Sequence, residues 1–251
     1  AVEQALLFPL PRLADVDSRY FPPDDRWAEW ALLVAVGFGL EALAVSALGV
    51  PAAAAAPRAL LGRAAPRPEP GPRPALAGLV CAVVVGVVCG AVALTLFGWP
   101  VTFYLLAPVT FLAWFCAYGL LGLAVPAVVV DRLGPGRALL RSLRLSVRGF
   151  LRTLRIRVVA YLSWFFIRLG WGLGVLALIE LGYTSPSTTV DNLLMAGIYL
   201  LVNTLAYPML ASLDVVLHLE ARMRTEGLDI SLRRALRRGA DPTPVLVGAE
   251  A

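Results

Sequence analysis

Long apolar runs constrain this chain more than any other feature. They lie at about 27–50, 76–98, 101–130, 158–181 and 192–217, and carry very few charges. A helix needs about 20 mostly apolar residues to cross a bilayer. Backbone polar groups in hydrocarbon must bond within their own segment, so each run reads as a helix. The expected fold class is therefore an all-α, polytopic membrane helix bundle of about five transmembrane helices plus a basic amphipathic interfacial helix. Composition agrees: 59% of residues are hydrophobic and 16% charged, against about 25% charged in soluble domains.

The runs divide the chain into an extracytoplasmic N-terminal tail (1–26), a transmembrane bundle (27–218) and a cytoplasmic basic tail (219–251). The tail 1–26 shows no charged–apolar–cleavage pattern of a leader. Trp27 and Trp30 open the first run, where amphipathic rings favour the headgroup zone. Residues 51–75 hold seven prolines and read as an irregular loop. Gly98-Trp99-Pro100 reads as a tight turn. The third run is long for one span, and Pro108 and Pro126 are expected to kink it or allow a re-entrant segment.

All 22 basic residues are arginine. With five spans, the 51–75 loop, the 131–157 segment and the C-terminal tail share one side and hold eighteen of them, whereas the other side holds Arg12, Arg19 and Arg26. The positive-inside rule puts the eighteen in the cytoplasm. The N-terminus is then outside and the C-terminus inside, in the cell membrane.

The sharpest local pattern is a stripe formed by Arg137, Arg141, Arg144, Arg148, Arg152 and Arg155. Their mean spacing matches the helical period of 3.6 residues, and at roughly 100° per residue the six share a wedge of about 80°. Leu139, Leu143, Val147, Phe150 and Leu154 fall opposite. A helix over 137–155 is expected along the inner interface, with its apolar face in the bilayer. Two uses stand open: plain anchoring and topology, or docking of anionic lipid headgroups or an acidic protein partner. Nucleic acid is not expected, because no aromatic stacking pattern interleaves the arginines.

Three charges fall inside spans: Glu41, Arg168 and Asp214. Such groups face the bundle interior and pair. From the span ends, the depths of Glu41 and Arg168 differ by roughly 8 Å, which a long arginine can partly bridge, so a Glu41–Arg168 pair is expected. Gly78, Ala82, Gly86 and Gly90 recur every four residues, a small-residue stripe that lets another helix approach closely.

Catalytic equipment is not recognisable. There is no GxSxG elbow, GxxxxGK[ST] phosphate loop or HExxH motif. His218 is the single histidine, so a multi-histidine metal site within the chain is excluded. Cys81, Cys89 and Cys116 lack metal-ligand spacing and read as small apolar residues in spans. No metal and no cofactor is expected.

Two stretches carry a family resemblance. One runs from Leu123 through Ala124-Val125-Pro126-Ala127-Val128-Val129-Val130-Asp131-Arg132-Leu133-Gly134-Pro135 and on to Ala138-Leu139-Leu140-Arg141-Ser142. The other is Leu217-His218-Leu219-Glu220-Ala221-Arg222-Met223-Arg224-Thr225-Glu226-Gly227-Leu228-Asp229. Together they resemble a broad group of multi-pass bacterial membrane proteins, common in actinobacteria, some similar to the membrane domain of glycerophosphoryl diester phosphodiesterase. The resemblance covers roughly residues 76–232. His218 and Glu220 depart from the aromatic and Asp usual there. It implies a membrane domain without phosphodiesterase activity, because the catalytic domain of that group is a separate soluble unit that this chain lacks.

The leading functional expectation is a non-catalytic integral membrane subunit or scaffold, presenting a basic cytoplasmic surface to lipid and to other membrane or cytoplasmic subunits. The alternative is the permease component of a transporter coupled to a cytoplasmic partner. A membrane enzyme is the third class.

Overall fold

The computed structural model describes residues 27–61, 71–180, 188–240 and 242–246. The expected tail 1–26 lies outside these, as do residues 62–70 of the proline-rich linker and residues 181–187 of the polar loop. All regular structure among the described residues is helical, with no strand. In chain order the helices are α1 Trp27–Leu60, α2 Pro72–Phe97, α3 Pro100–Leu121, α4 Ala124–Val130, α5 Pro135–Arg148, α6 Phe150–Glu180, α7 Thr188–Glu226, α8 Leu228–Arg237 and α9 Thr243–Leu246. Among the described residues, four segments are long and apolar enough to cross a membrane: Trp27–Ala56, Pro72–Phe97, Phe111–Val130 and Ala196–Glu226.

Several boundaries differ from the expectation. The first helix does not stop at Val50; it continues through Pro51 to Leu60. Ala52–Ala56 is a run of the strongest helix former, and the exposed Pro51 costs the helix one hydrogen bond without ending it. Pro72 opens α2, where a missing N–H removes nothing the helix uses. The third run bends at Leu106 (φ −120°, ψ 16°), two residues before Pro108. It then breaks outright at Gly122-Leu123, and Pro126 sits in the first turn of α4, where its missing N–H has no intrahelical partner to lose.

The arginine-striped segment is two helices, not one over 137–155. α5 ends at Arg148 and Gly149 adopts a non-helical conformation (φ −124°, ψ 26°). Arg152 and Arg155 belong to the first turns of α6, which starts at Phe150 rather than Val158. Helix α7 passes 217 and ends at Glu226. Gly227, at φ 65°, turns the chain into α8, a backbone region glycine enters without a Cβ penalty. The segment after 218 is not a free tail. Leu228, Leu232 and Leu246 pack with Ala53 of α1, Val130 of α4 and Val215 and Leu219 of α7.

The core starts from an α1–α2 hairpin. Its helices meet backbone to backbone: a Cβ on Gly86 would lie 2.8 Å from the Leu43 Cβ and 2.9 Å from the Gly39 carbonyl oxygen. A Cβ on Gly78 would meet Val50 at 2.7 Å, and Ala82 is buried in the same seam. The helix that approaches Gly78, Ala82, Gly86 and Gly90 is thus α1. Trp27 is buried rather than facing outward, and its indole N–H donates to the Phe97 carbonyl at 3.0 Å, tying the start of α1 to the end of α2. Phe38, Phe97, Phe111, Trp114, Tyr118 and Tyr161 continue the core as touching rings.

Candidate functional site

Seven polar residues of the interior fall on two facing helix stripes. On α6 they are Arg157, Tyr161 and Arg168; on α7, Tyr207, Asp214, His218 and Arg222. Separations of four, seven and eleven residues return to one helix face, so each stripe follows from spacing alone. Three levels of contact join the stripes to α1, α3 and the α4–α5 turn.

At the first level Arg168 Nη2 lies 3.1 Å from Glu41 Oε1, with the guanidinium 5.6 Å from the Tyr207 ring centroid. The structure thus brings together the two charges read from the sequence. At the second level Arg157 Nε donates to Asp214 Oδ1 at 2.7 Å, and the Tyr118 hydroxyl donates to Asp214 Oδ2 at 2.7 Å. Arg157 is 1% exposed, although the sequence reading counted it among the cytoplasmic topology markers. Its Nη1 donates to the Gly119 carbonyl at 2.6 Å. That carbonyl belongs to the last turn of α3, whose final C=O groups have no intrahelical donor. Ser142 and Ser146 of α5 complete the capping: their hydroxyls donate to the Leu120 and Gly119 carbonyls at 2.7 and 3.0 Å. The break in the third run therefore explains why a basic helix carries two buried serines.

The third level sits at the α4–α5 turn. Asp131 ends α4, and Arg132 after it takes a positive φ of 54°, which turns the chain toward α5. The Asp131 carboxylate is ion-paired to Arg141 Nε, with Arg222 Nη1 at 2.9 Å and the fully buried His218 Nε2 at 3.3 Å. Burial alone would raise the Asp131 pKa; His218, Arg222 and Arg141 outweigh it and hold the carboxyl below its ordinary value. Arg141 Nη2 also meets Glu226 at 2.9 Å, and Arg222 Nη1 donates to the Leu246 carbonyl at 2.7 Å, fastening α9. Segments 123–142 and 217–229 thus meet in one ionic cluster.

The six stripe arginines divide accordingly. Arg141 is spent on Asp131 and Glu226, and Arg152 pairs with Glu220 at 2.9 Å. Arg137, Arg144, Arg148 and Arg155 are exposed; among the described residues no carboxylate is in ion-pair distance of them. The expected apolar face packs only in part: Leu139 packs against the cluster around Val50, Ala82 and Val125, and Leu143 is half-buried, but Val147 is exposed. The buried residues of α5 are Ala138, Ser142, Leu145 and Ser146, whereas Leu140 and Val147 are exposed.

Sequence reasoning missed Tyr118, Asp131, Arg157, His218 and Arg222 as interior partners. One signal was available: Asp214, His218, Arg222 and Glu226 recur every four residues, a polar stripe entering the end of an apolar run. No group of three or more His, Cys, Asp or Glu among the described residues is placed to hold a metal ion. No family model, curated protein or solved structure matches the chain, so the site is read from its own geometry.

Proposed function

We propose that this chain is a non-catalytic integral membrane subunit or scaffold that crosses the cell membrane five times, N-terminus outside and C-terminus cytoplasmic. The observation that carries the reading is how the interior charges are used. Glu41 with Arg168 and Arg157 with Asp214 pair across helices, and the α1–α2 seam closes on glycine backbone. Intramembrane charges committed to one another brace a bundle, and their helices are then held as one rigid platform. Helix α6 supplies the fifth span: from 158 to 179 its sole charged residue is Arg168, and 31 residues reach about 46 Å at 1.5 Å per residue. On this reading α5 is the interfacial helix, and the unpaired arginines face the cytoplasm.

Mild-detergent purification of the full chain from its native membrane tests this. A stoichiometric membrane or cytoplasmic subunit is the expected result; a chain that isolates alone at every detergent strength contradicts it. The permease alternative draws on one observation, the break between α3 and α4, since discontinuous helices at mid-depth form ion and substrate sites in transporters. Here the carbonyl of Gly119 at that break is bonded by Arg157 and Ser146, which favours bracing over transport.

A further inference from the structure

We propose that α5 and the first turns of α6 form a binding surface for anionic phospholipid headgroups. This deepens the scaffold reading by naming what meets the basic face, and rests on that reading for its cytoplasmic placement. At about 100° per residue, the residues of α5 fall into three sectors. Ala138, Ser142, Leu145 and Ser146 are packed inward; Arg137, Arg144 and Arg148 form the second face; Leu140 and Val147, 56% and 65% exposed, form the third. Among the described residues, the carboxylates Asp131, Glu220 and Glu226 are already engaged by Arg141, Arg152, Arg222 and Arg224. Among the described residues, the arginine face therefore carries uncompensated charge.

Helix α6 supplies the reason for choosing lipid over an acidic protein. Leu151, Arg155, Val159, Leu162, Phe166, Leu169 and Leu173 share one exposed face. From Val159 to Leu173 this face is wholly apolar, as acyl-chain contact demands. Arg155 lies one turn before Val159, about 6 Å along the axis, at the height where phosphates begin. A monolayer of anionic phospholipid meets both needs at once: phosphates take the guanidinium forks, and acyl chains cover Leu140, Val147 and the α6 face beyond Val159. An acidic soluble protein complements the arginines alone.

The test uses the full chain in detergent, incubated with equal amounts of phosphatidylcholine and phosphatidylglycerol, with bound lipids counted by native mass spectrometry. Wild type should retain the anionic lipid over the neutral one by about tenfold or more, as a basic cluster beside an anionic headgroup implies. Arg144→Gln, Arg148→Gln and Arg155→Gln together should reduce the preference to within about twofold of none, with an unchanged melting temperature because these side chains are exposed and make no ion pair among the described residues; Arg155→Gln alone should lower it by a smaller step. Leu140→Ser with Val147→Ser should reduce retention of both lipids. Removing an equal charge at Arg233, Arg234 and Arg237 should leave most of the preference in place. Equal retention of the two lipids by wild type overturns the proposal. So does an equal loss from the α8 variant, which means net charge alone, and so does polyglutamate binding without lipid preference, which assigns the face to an acidic protein. Co-purifying subunits report on the scaffold reading and bound lipid on this one, so either can fail alone.

Discussion

Arg157 and Asp214 meet 2.7 Å apart, Nε to Oδ1, with only 1% and 6% of their side chains exposed. The same guanidinium bonds the Gly119 carbonyl, and the same carboxylate accepts the Tyr118 hydroxyl. One contact thus joins α6 and α7 to the broken end of α3. Removing one partner leaves a buried, uncompensated charge, which costs about 3–5 kcal/mol. Arg157→Ala should therefore lower the melting temperature of the purified chain sharply, and adding Asp214→Ala should recover part of the loss. Arg157→Lys should not substitute, because a single ammonium lacks the fork that reaches both partners. A double variant no more stable than Arg157→Ala contradicts the coupling.

Arg168 and Glu41 form the second brace, less enclosed at 20% and 16% side-chain exposure. Arg168→Ala should destabilise by less than Arg157→Ala, and the further change Glu41→Ala should restore part of the stability. Thermal melts of the four species (wild type, each single variant, the pair) give the interaction directly. Strictly additive effects would mean that the two side chains do not act together.

The glycine seam makes a paired prediction. Gly86→Leu must push a side chain into Leu43 and the Gly39 backbone, and overpacking of this kind costs about 1–3 kcal/mol or more. Gly170→Leu, at a position with nothing within 4 Å of an added Cβ, should be close to neutral. Folded yield and melting temperature measure both. Equal tolerance at the two sites contradicts a tight α1–α2 contact.

Asp131 gives the pH dependence. Its carboxyl is held below its ordinary value of 3.8, so folding favours the ionised form. The stabilisation is fully present above that ordinary value and is lost as pH falls through the lowered one. The chain should lose stability on the acid side as Asp131 protonates and releases Arg141 and Arg222. Asp131→Asn should be less stable at neutral pH and show a shallower acid limb in melts across pH. An unchanged acid limb contradicts the role given to this carboxylate.

Four of the five apolar runs reappear as helices long and apolar enough to cross a membrane, because bilayer-length apolar runs admit few alternatives, and the Glu41–Arg168 contact followed from depth counting. Local breaks were harder to read. The arginine period passes through Gly149 without interruption, so spacing alone could not show that α5 and α6 are separate helices. Pro51 looked like a helix end, yet the alanines after it carry α1 onward. Arg157 looked like one more topology marker because its partner, Asp214, is 57 residues away and is brought close only by the packing of α6 against α7. Ser142 and Ser146 carried no signal until the break at Gly122-Leu123 gave them carbonyls to cap.

The most direct test of the five-span bundle with a cytoplasmic α5 is side-specific thiol labelling. In a chain with Cys81, Cys89 and Cys116 changed to Ala, single cysteines are placed by Gly136→Cys, before the arginine face, and by Thr188→Cys, at the start of α7. Intact cells are treated with a membrane-impermeant maleimide. The account predicts that the cysteine at 188 is labelled from outside, and that the one at 136 is labelled only after the membrane is opened. Labelling of both from the same side would remove α6 from the membrane and contradict it.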